Sequence, residues 1–166
     1  MPTPTYTPLA NITLGSSATS ISFSSIPATY RDLVVVVNGS FTGSHGLNMR
    51  FNSDTGSNYS NIIMANDAGT PFSAQEVTTL FYGSWTANLS GARYTGVFQV
   101  MDYSATDKHK TALWRTNYTS SASAQIVEAF AGRWANTAAI TTLTVGASAT
   151  NGFATGTTFA LYAIVS

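Results

Sequence analysis

Two carboxylates facing each other across a cleft can act as acid and base on a glycosidic bond, and Asp102 and Glu128 are the pair whose positions invite that test. A structural account competes with it. Asp102 falls where a strand enters a polar turn, beside Asp107, Lys108 and Lys110, which read as that turn's own salt links. Glu128 lies within reach of Arg115 or Arg133 on neighbouring strands, a cross-strand pairing worth about 0.2–1 kcal/mol. The structural account is preferred, and a non-enzymatic domain is expected.

The remaining chemistry is sparse. His45 and His109 are the only histidines, both in expected loops, and a metal site wants several ligands converging. Neither has a neighbour that would make it a triad base, and no G-x-S-x-G elbow occurs. Residues 52–58, with Asn52, Asp54, Gly56 and Asn58, alternate oxygen-bearing side chains around a glycine as a calcium loop does, but lack its closing glutamate. An Asx-rich turn explains the stretch equally well. No catalytic residue, metal or cofactor is assigned, and whether this loop takes an ion stays open. Trp85, Tyr103, Trp114, Tyr118 and Trp134 have the rings for stacking on a sugar, yet most sit at strand positions and are expected in the core or a subunit interface. Five Asn-x-Ser/Thr sequons, at Asn11, Asn38, Asn58, Asn88 and Asn117, are what chance gives in a chain so rich in these residues.

Composition narrows the class. The 166 residues fit one domain, long enough to bury a core without staples, and the absence of cysteine removes thiol catalysis, Cys-ligated zinc and disulfides together. Charged residues make up 8%, with seven basic and seven acidic side chains and a net charge of zero. Ordinary soluble domains carry about 25%. Scattered cations do not make a phosphate-binding stripe, so nucleic acid is not expected as a partner. A near-neutral surface favours association, which suits a part of an assembly. No basic and apolar leader follows Met1, and the longest apolar run is far shorter than the roughly 20 residues of a membrane helix, so no membrane insertion is expected.

The elements that must hold these residues read as strands. The best-marked unit is a hairpin over residues 93–118. In its first arm Tyr94, Gly96, Phe98 and Val100 share one face; in its second, Ala112 and Trp114 oppose Thr111, Leu113 and Arg115. Before it, strands are expected at residues 9–14, 21–26, 33–37, 47–51, 59–64 and 77–85, with a longer loop at 65–75. Asn38-Gly39, a strong turn signal, is expected to stop the Val-rich run at 33–37. After it, residues 125–134 place Ile126, Glu128, Phe130, Gly132 and Trp134 on one face of a strand, with a helix as the rival reading. Strands at 139–145 and 157–165 complete the chain; the last is apolar on both faces, so its removal should unfold the domain. The sum is an all-β antiparallel sandwich of about ten strands, jelly-roll-like, since the Cys and Trp landmarks of an immunoglobulin domain are missing. Residues 1–8 form an extended proline-rich arm with Pro2, Pro4, Tyr6 and Pro8 as candidate partner contacts, and residues 9–166 the single domain.

The stretches PATYRDLVVVVNG, MRFNSDTGSNYS, QVMDYSATDKHKTALWR, EAFAGRWANTAAITTLTV and TTFALYAIVS resemble small structural proteins of tailed bacteriophages, notably phages of cyanobacteria and other aquatic bacteria. The resemblance spans nearly the whole chain beyond the arm. It implies a virion component: a capsid decoration (cement) protein on the head surface, or a tail-fibre or tail-tip module touching a host glycan or receptor. The expected partners are further copies of the chain, as a homotrimer, and the major capsid protein or other virion proteins. Cement is favoured, because the chain has no shaft to carry a fibre tip and its arm could reach across a capsomer seam. Cement predicts a flat apolar base beside the arm; a receptor module predicts exposed aromatics clustered at one apex.

Overall fold

Period-two alternation runs through most of the chain, and the computed structural model of the protein turns it, among the described residues, into twelve strands in two antiparallel sheets. It describes residues 5–43, 46–67, 70–84, 91–121, 124–147 and 152–165. The strands are β1 (Tyr6–Thr13), β2 (Ser20–Phe23), β3 (Asp32–Ser40), β4 (Leu47–Phe51), β5 (Tyr59–Asp67), β6 (Thr70–Thr78), β7 (Phe81–Tyr82), β8 (Arg93–Met101), β9 (Lys110–Ser121), β10 (Ala124–Trp134), β11 (Leu143–Ala147) and β12 (Thr158–Ile164). An eight-stranded sheet runs β1-β12-β3-β8-β9-β10-β5-β6, and a four-stranded sheet runs β2-β11-β4-β7. The chain passes from one sheet to the other at every connection except the β5–β6 hairpin and the β8–β9–β10 meander. This is an all-β antiparallel sandwich, as the patterning implies.

The core lies between the sheets. Tyr94, Phe98, Val100, Ala112, Trp114, Ile126, Phe130 and Trp134 project inward from the meander to meet Phe23, Met49, Phe51, Phe81, Leu143 and Val145 of the smaller sheet. Trp114 stacks on Phe130 with centroids 5.0 Å apart and planes 11° from parallel, and Phe81 approaches Trp114 to 5.2 Å from the opposite sheet. Such ring contacts add about 0.5–1.5 kcal/mol each beyond the area they bury. Residues 125–134 are strand, not helix: Ile126, Glu128, Phe130 and Trp134 are buried while Val127, Ala129, Ala131 and Arg133 face out.

Three expectations fail for identifiable reasons. Asn38-Gly39 does not end its strand, because β3 continues to Ser40, with Asn38 facing Thr158 on one side and Thr95 on the other. A methyl at Gly39 would lie 2.3 Å from Thr157 Oγ1, so this glycine admits a side chain from the next strand rather than a turn. The expected loop at residues 65–75 is instead the end of β5 and most of β6, paired from Tyr59↔Thr78 to Asp67↔Thr70. Finally, residues 6–8, expected in the arm, are strand. Tyr6 and Pro8 belong to β1, paired along β12 with a register shift between Pro8 and Ala10. Proline is tolerated there because β1 is an edge strand whose outward donor has no partner to lose.

Candidate interaction surface

The two candidate carboxylates part company in the fold. Glu128 sits opposite Thr116, which sits opposite Gly96, whereas Asp102 follows the far end of β8. Six residues of strand separate the two levels, about 20 Å. Glycosidase carboxyls stand about 5–10 Å apart, so these cannot share a bond. Glu128 is 1% exposed and points into the core, where Tyr118 donates to Oε1 at 2.8 Å and Thr116 to Oε2 at 3.2 Å. The expected arginine partners lie on the opposite face of the same sheet. Nearby, burial, reinforced by the Glu128 charge, pushes the Tyr94 phenol well above its ordinary value.

Asp102 and its neighbours knit a turn. Asp32, buried at the start of β3, accepts the Asp102 backbone N–H at 3.0 Å and the Gln99 amide at 3.2 Å, and pairs with Arg31 at 3.3 Å. Asp102 adopts φ 48° and reaches Lys108 at 3.4 Å. Lys110 makes no salt link among the described residues. It is fully buried and donates to the carbonyls of Lys108 at 3.0 Å and Thr137 at 3.1 Å, and burial draws its pKa below the usual lysine value.

The loop at residues 52–58 is a hydrogen-bonded hub. Asp54 accepts from Gly56 N–H at 2.8 Å, Asn58 Nδ2 at 2.9 Å and Trp134 Nε1 at 2.7 Å. Both carboxylate oxygens are therefore committed to N–H donors, which is the Asx-turn account rather than a cation's. Asn52, at φ 48°, accepts the backbone N–H groups of Thr141 and Thr142 and donates to the Ala139 carbonyl. Tyr59 receives the Phe51 N–H at 3.0 Å; burial, with a smaller push from the Asp54 charge, raises its phenol to about 12.

None of the described aromatic candidates is free for a sugar: Tyr103, Trp114, Tyr118 and Trp134 are all buried. Tyr103 donates its hydroxyl to the Pro27 carbonyl. His109 is exposed in its turn, and among the described residues no three His, Asp or Glu side chains converge to hold a metal. His45, Trp85, Pro2 and Pro4 lie outside the described residues.

The feature that sequence reading missed is the outer face of the eight-stranded sheet. Register places Val34, Gln99, Leu113, Ala131 and Ile62 in one row across β3, β8, β9, β10 and β5, and Val36, Val97, Arg115, Ala129 and Met64 in the next. The smaller sheet covers only the other side, so this face meets solvent: Ile62 is 54%, Met64 64%, Leu113 46% and Val127 65% exposed. The rows form a shallow groove of about 440 Å³, with Tyr6 of β1 on its rim. Scattered apolar exposure is ordinary, but a contiguous apolar face marks a contact site. Its charged members are Arg115, Arg133 and, at the start of β8, Arg93, which make no ion pair among the described residues; the Asp32 carboxylate at its margin is buried and already engaged. The sequence signal was present, since β5 and β10 carry apolar residues on both faces, but alternation alone reads such strands as covered twice.

No family model matches the chain, and the searches of curated proteins and of solved structures likewise give no match.

Proposed function

We propose that this chain is a virion structural protein, a capsid decoration protein that binds the outer surface of a phage head and stabilises it. The observation that carries the proposal is the apolar outer face of the eight-stranded sheet, with β1, which takes in Tyr6 and Pro8 of the expected arm, along its margin. A cement protein needs a broad, weakly polar base of this kind, because many copies on one lattice add avidity without any single strong contact. The phage-like stretches and the low charge agree with it. Copies assemble as a homotrimer, and the major capsid protein is the partner under the base. The alternative, a tail module gripping a host glycan, draws no support from the described aromatic candidates, which are spent on the core.

Cryo-electron microscopy of virions containing the chain tests this. Density at local symmetry axes of the icosahedral shell, with the eight-stranded sheet turned toward the capsomers, is the expected result. Density confined to the tail tip or fibres overturns it.

A further inference from the structure

The outer face of the large sheet is apolar but not featureless. Arg115 projects from β9 opposite Ala129 of β10, and Arg133 follows four residues later on β10. Four residues of strand and one inter-strand step place the two guanidinium-bearing positions about 14 Å apart, on the diagonal of the groove. The row between them holds Leu113 and Ala131, with Ile62 and Gln99 to either side. Of the other basic groups, Arg31 pairs with Asp32, Lys108 with Asp102, Lys110 donates to two carbonyls and Arg50 to the Thr79 carbonyl, while Arg93, exposed at the start of β8 on the same outer face, makes no ion pair among the described residues. Arg115 and Arg133, without anions among the described residues and flanking a mostly apolar patch in which Gln99 is the polar member of the central row, are complementary to an apolar partner that brings the anions itself.

This charge pattern selects the occupant. A second copy docked face to face would set arginines against arginines, with the one acid of the face, Asp32, buried and already engaged. Like charges enclosed in an apolar contact disfavour the pairing by far more than a surface ion pair gains. A nucleic acid would need a stripe of cations, and three arginines spread over three strands do not make one. The planar guanidinium fork matches a carboxylate with two parallel hydrogen bonds. Along an extended chain, residues i and i+4 lie on one face about 13 Å apart.

We infer that the outer face of the eight-stranded sheet docks an extended, apolar segment of a partner protein carrying two carboxylates four residues apart, which pair with Arg115 and Arg133 over an apolar residue seated on Leu113 and Ala131. The inference rests on the reading of the chain as an assembly module and names the chemistry of the surface it would grip.

The test needs only the purified protein and three synthetic peptides, VTETVTETV, VTQTVTQTV and VTKTVTKTV, titrated at low salt and followed by amide chemical shifts. Shifts should centre on Leu113, Arg115, Ala131 and Met64. The glutamate peptide should bind about tenfold tighter than the glutamine peptide, and the advantage should fade with salt. Lysine should bind worst. The double variant R115E/R133E, altered only at exposed positions, should reverse the order so that the lysine peptide is preferred. Equal affinity for all three peptides, or shifts on another surface, overturns the inference. So does a wild-type dimer in sedimentation that M64E converts to monomer, because a second copy then owns the face, and so does binding to phosphatidylserine vesicles in preference to the peptides. Because no virion enters the assay, its failure leaves the capsid assignment to be decided by particle imaging.

Discussion

Trp134 donates its indole N–H to Asp54 Oδ2 at 2.7 Å across 80 positions of sequence, joining the end of β10 to the loop between β4 and β5. Asn58 and Gly56 complete the carboxylate's shell. Burial works to raise the Asp54 pKa, but the hydrogen bonds from Asn58, Trp134 and Gly56 and the charge of Arg50 outweigh it, leaving the group below its free value of 3.8. A carboxylate whose folded pKa is depressed stabilises the fold fully above its unfolded pKa and loses that contribution as pH falls through the folded one. Asp54→Ala should cost about 1–3 kcal/mol at neutral pH, the range for orphaning buried or half-buried donors. In urea melts the gap between wild type and variant should shrink from about pH 5 downward.

Gly132 lies on the inward face of β10, and a methyl there would stand 2.4 Å from Phe81 Cε1 and 2.9 Å from Trp114 Cη2. Both rings are packed between the sheets and cannot withdraw together. Gly132→Ala should destabilise by about 1–3 kcal/mol through overpacking, with loss of near-ultraviolet tryptophan dichroism. Gly15, with nothing within 4 Å of its would-be methyl, is the control, and its alanine variant should melt as wild type does.

Lys110 fastens the turn after β8 to the segment that follows β10. Truncation to alanine removes both carbonyl contacts and leaves a void at a fully buried site, so Lys110→Ala should lower stability by about 2–4 kcal/mol. Hydrogen exchange should speed at Ala138, Ile140 and Thr141 before it does so in β3.

Glu128 holds the hydroxyls of Tyr118 and Thr116 inside the core. Glu128→Ala should cost about 2–4 kcal/mol, because it leaves two buried hydroxyl donors without their acceptor and a void beside them, while Tyr118→Phe should cost about 1–2 kcal/mol. Equal losses in the two variants would mean that the Tyr118–Glu128 hydrogen bond carries the whole cost and the Thr116 contact adds nothing.

The exposed face should separate stability from attachment. Met64→Glu and Leu113→Glu change residues that are 64% and 46% exposed, so each should shift stability by no more than about 0.5 kcal/mol. Both should prevent the protein from binding undecorated phage heads, scored by co-sedimentation.

Face assignment was legible from the sequence wherever alternation was strict. Tyr94, Gly96, Phe98 and Val100 share one face as read, as do Ile126, Phe130 and Trp134, because a pleated backbone offers side chains only two directions; the structure turns both sets inward. The all-β character followed from the same rule together with the turn residues. Register and sheet order were not legible. Asn38-Gly39 has the chemistry of a turn, and only the side chain of Thr157, 118 positions after Gly39, makes it a passage within β3. Glu128 read as a partner for arginine, yet β9 and β10 send those arginines to the opposite face and bring two hydroxyls instead. The apolar outer surface was hidden for the same reason. Residue types fix which side chains share a face, but whether a second layer covers that face depends on pairings between residues far apart in sequence, and those exist only once the sheets have closed on each other.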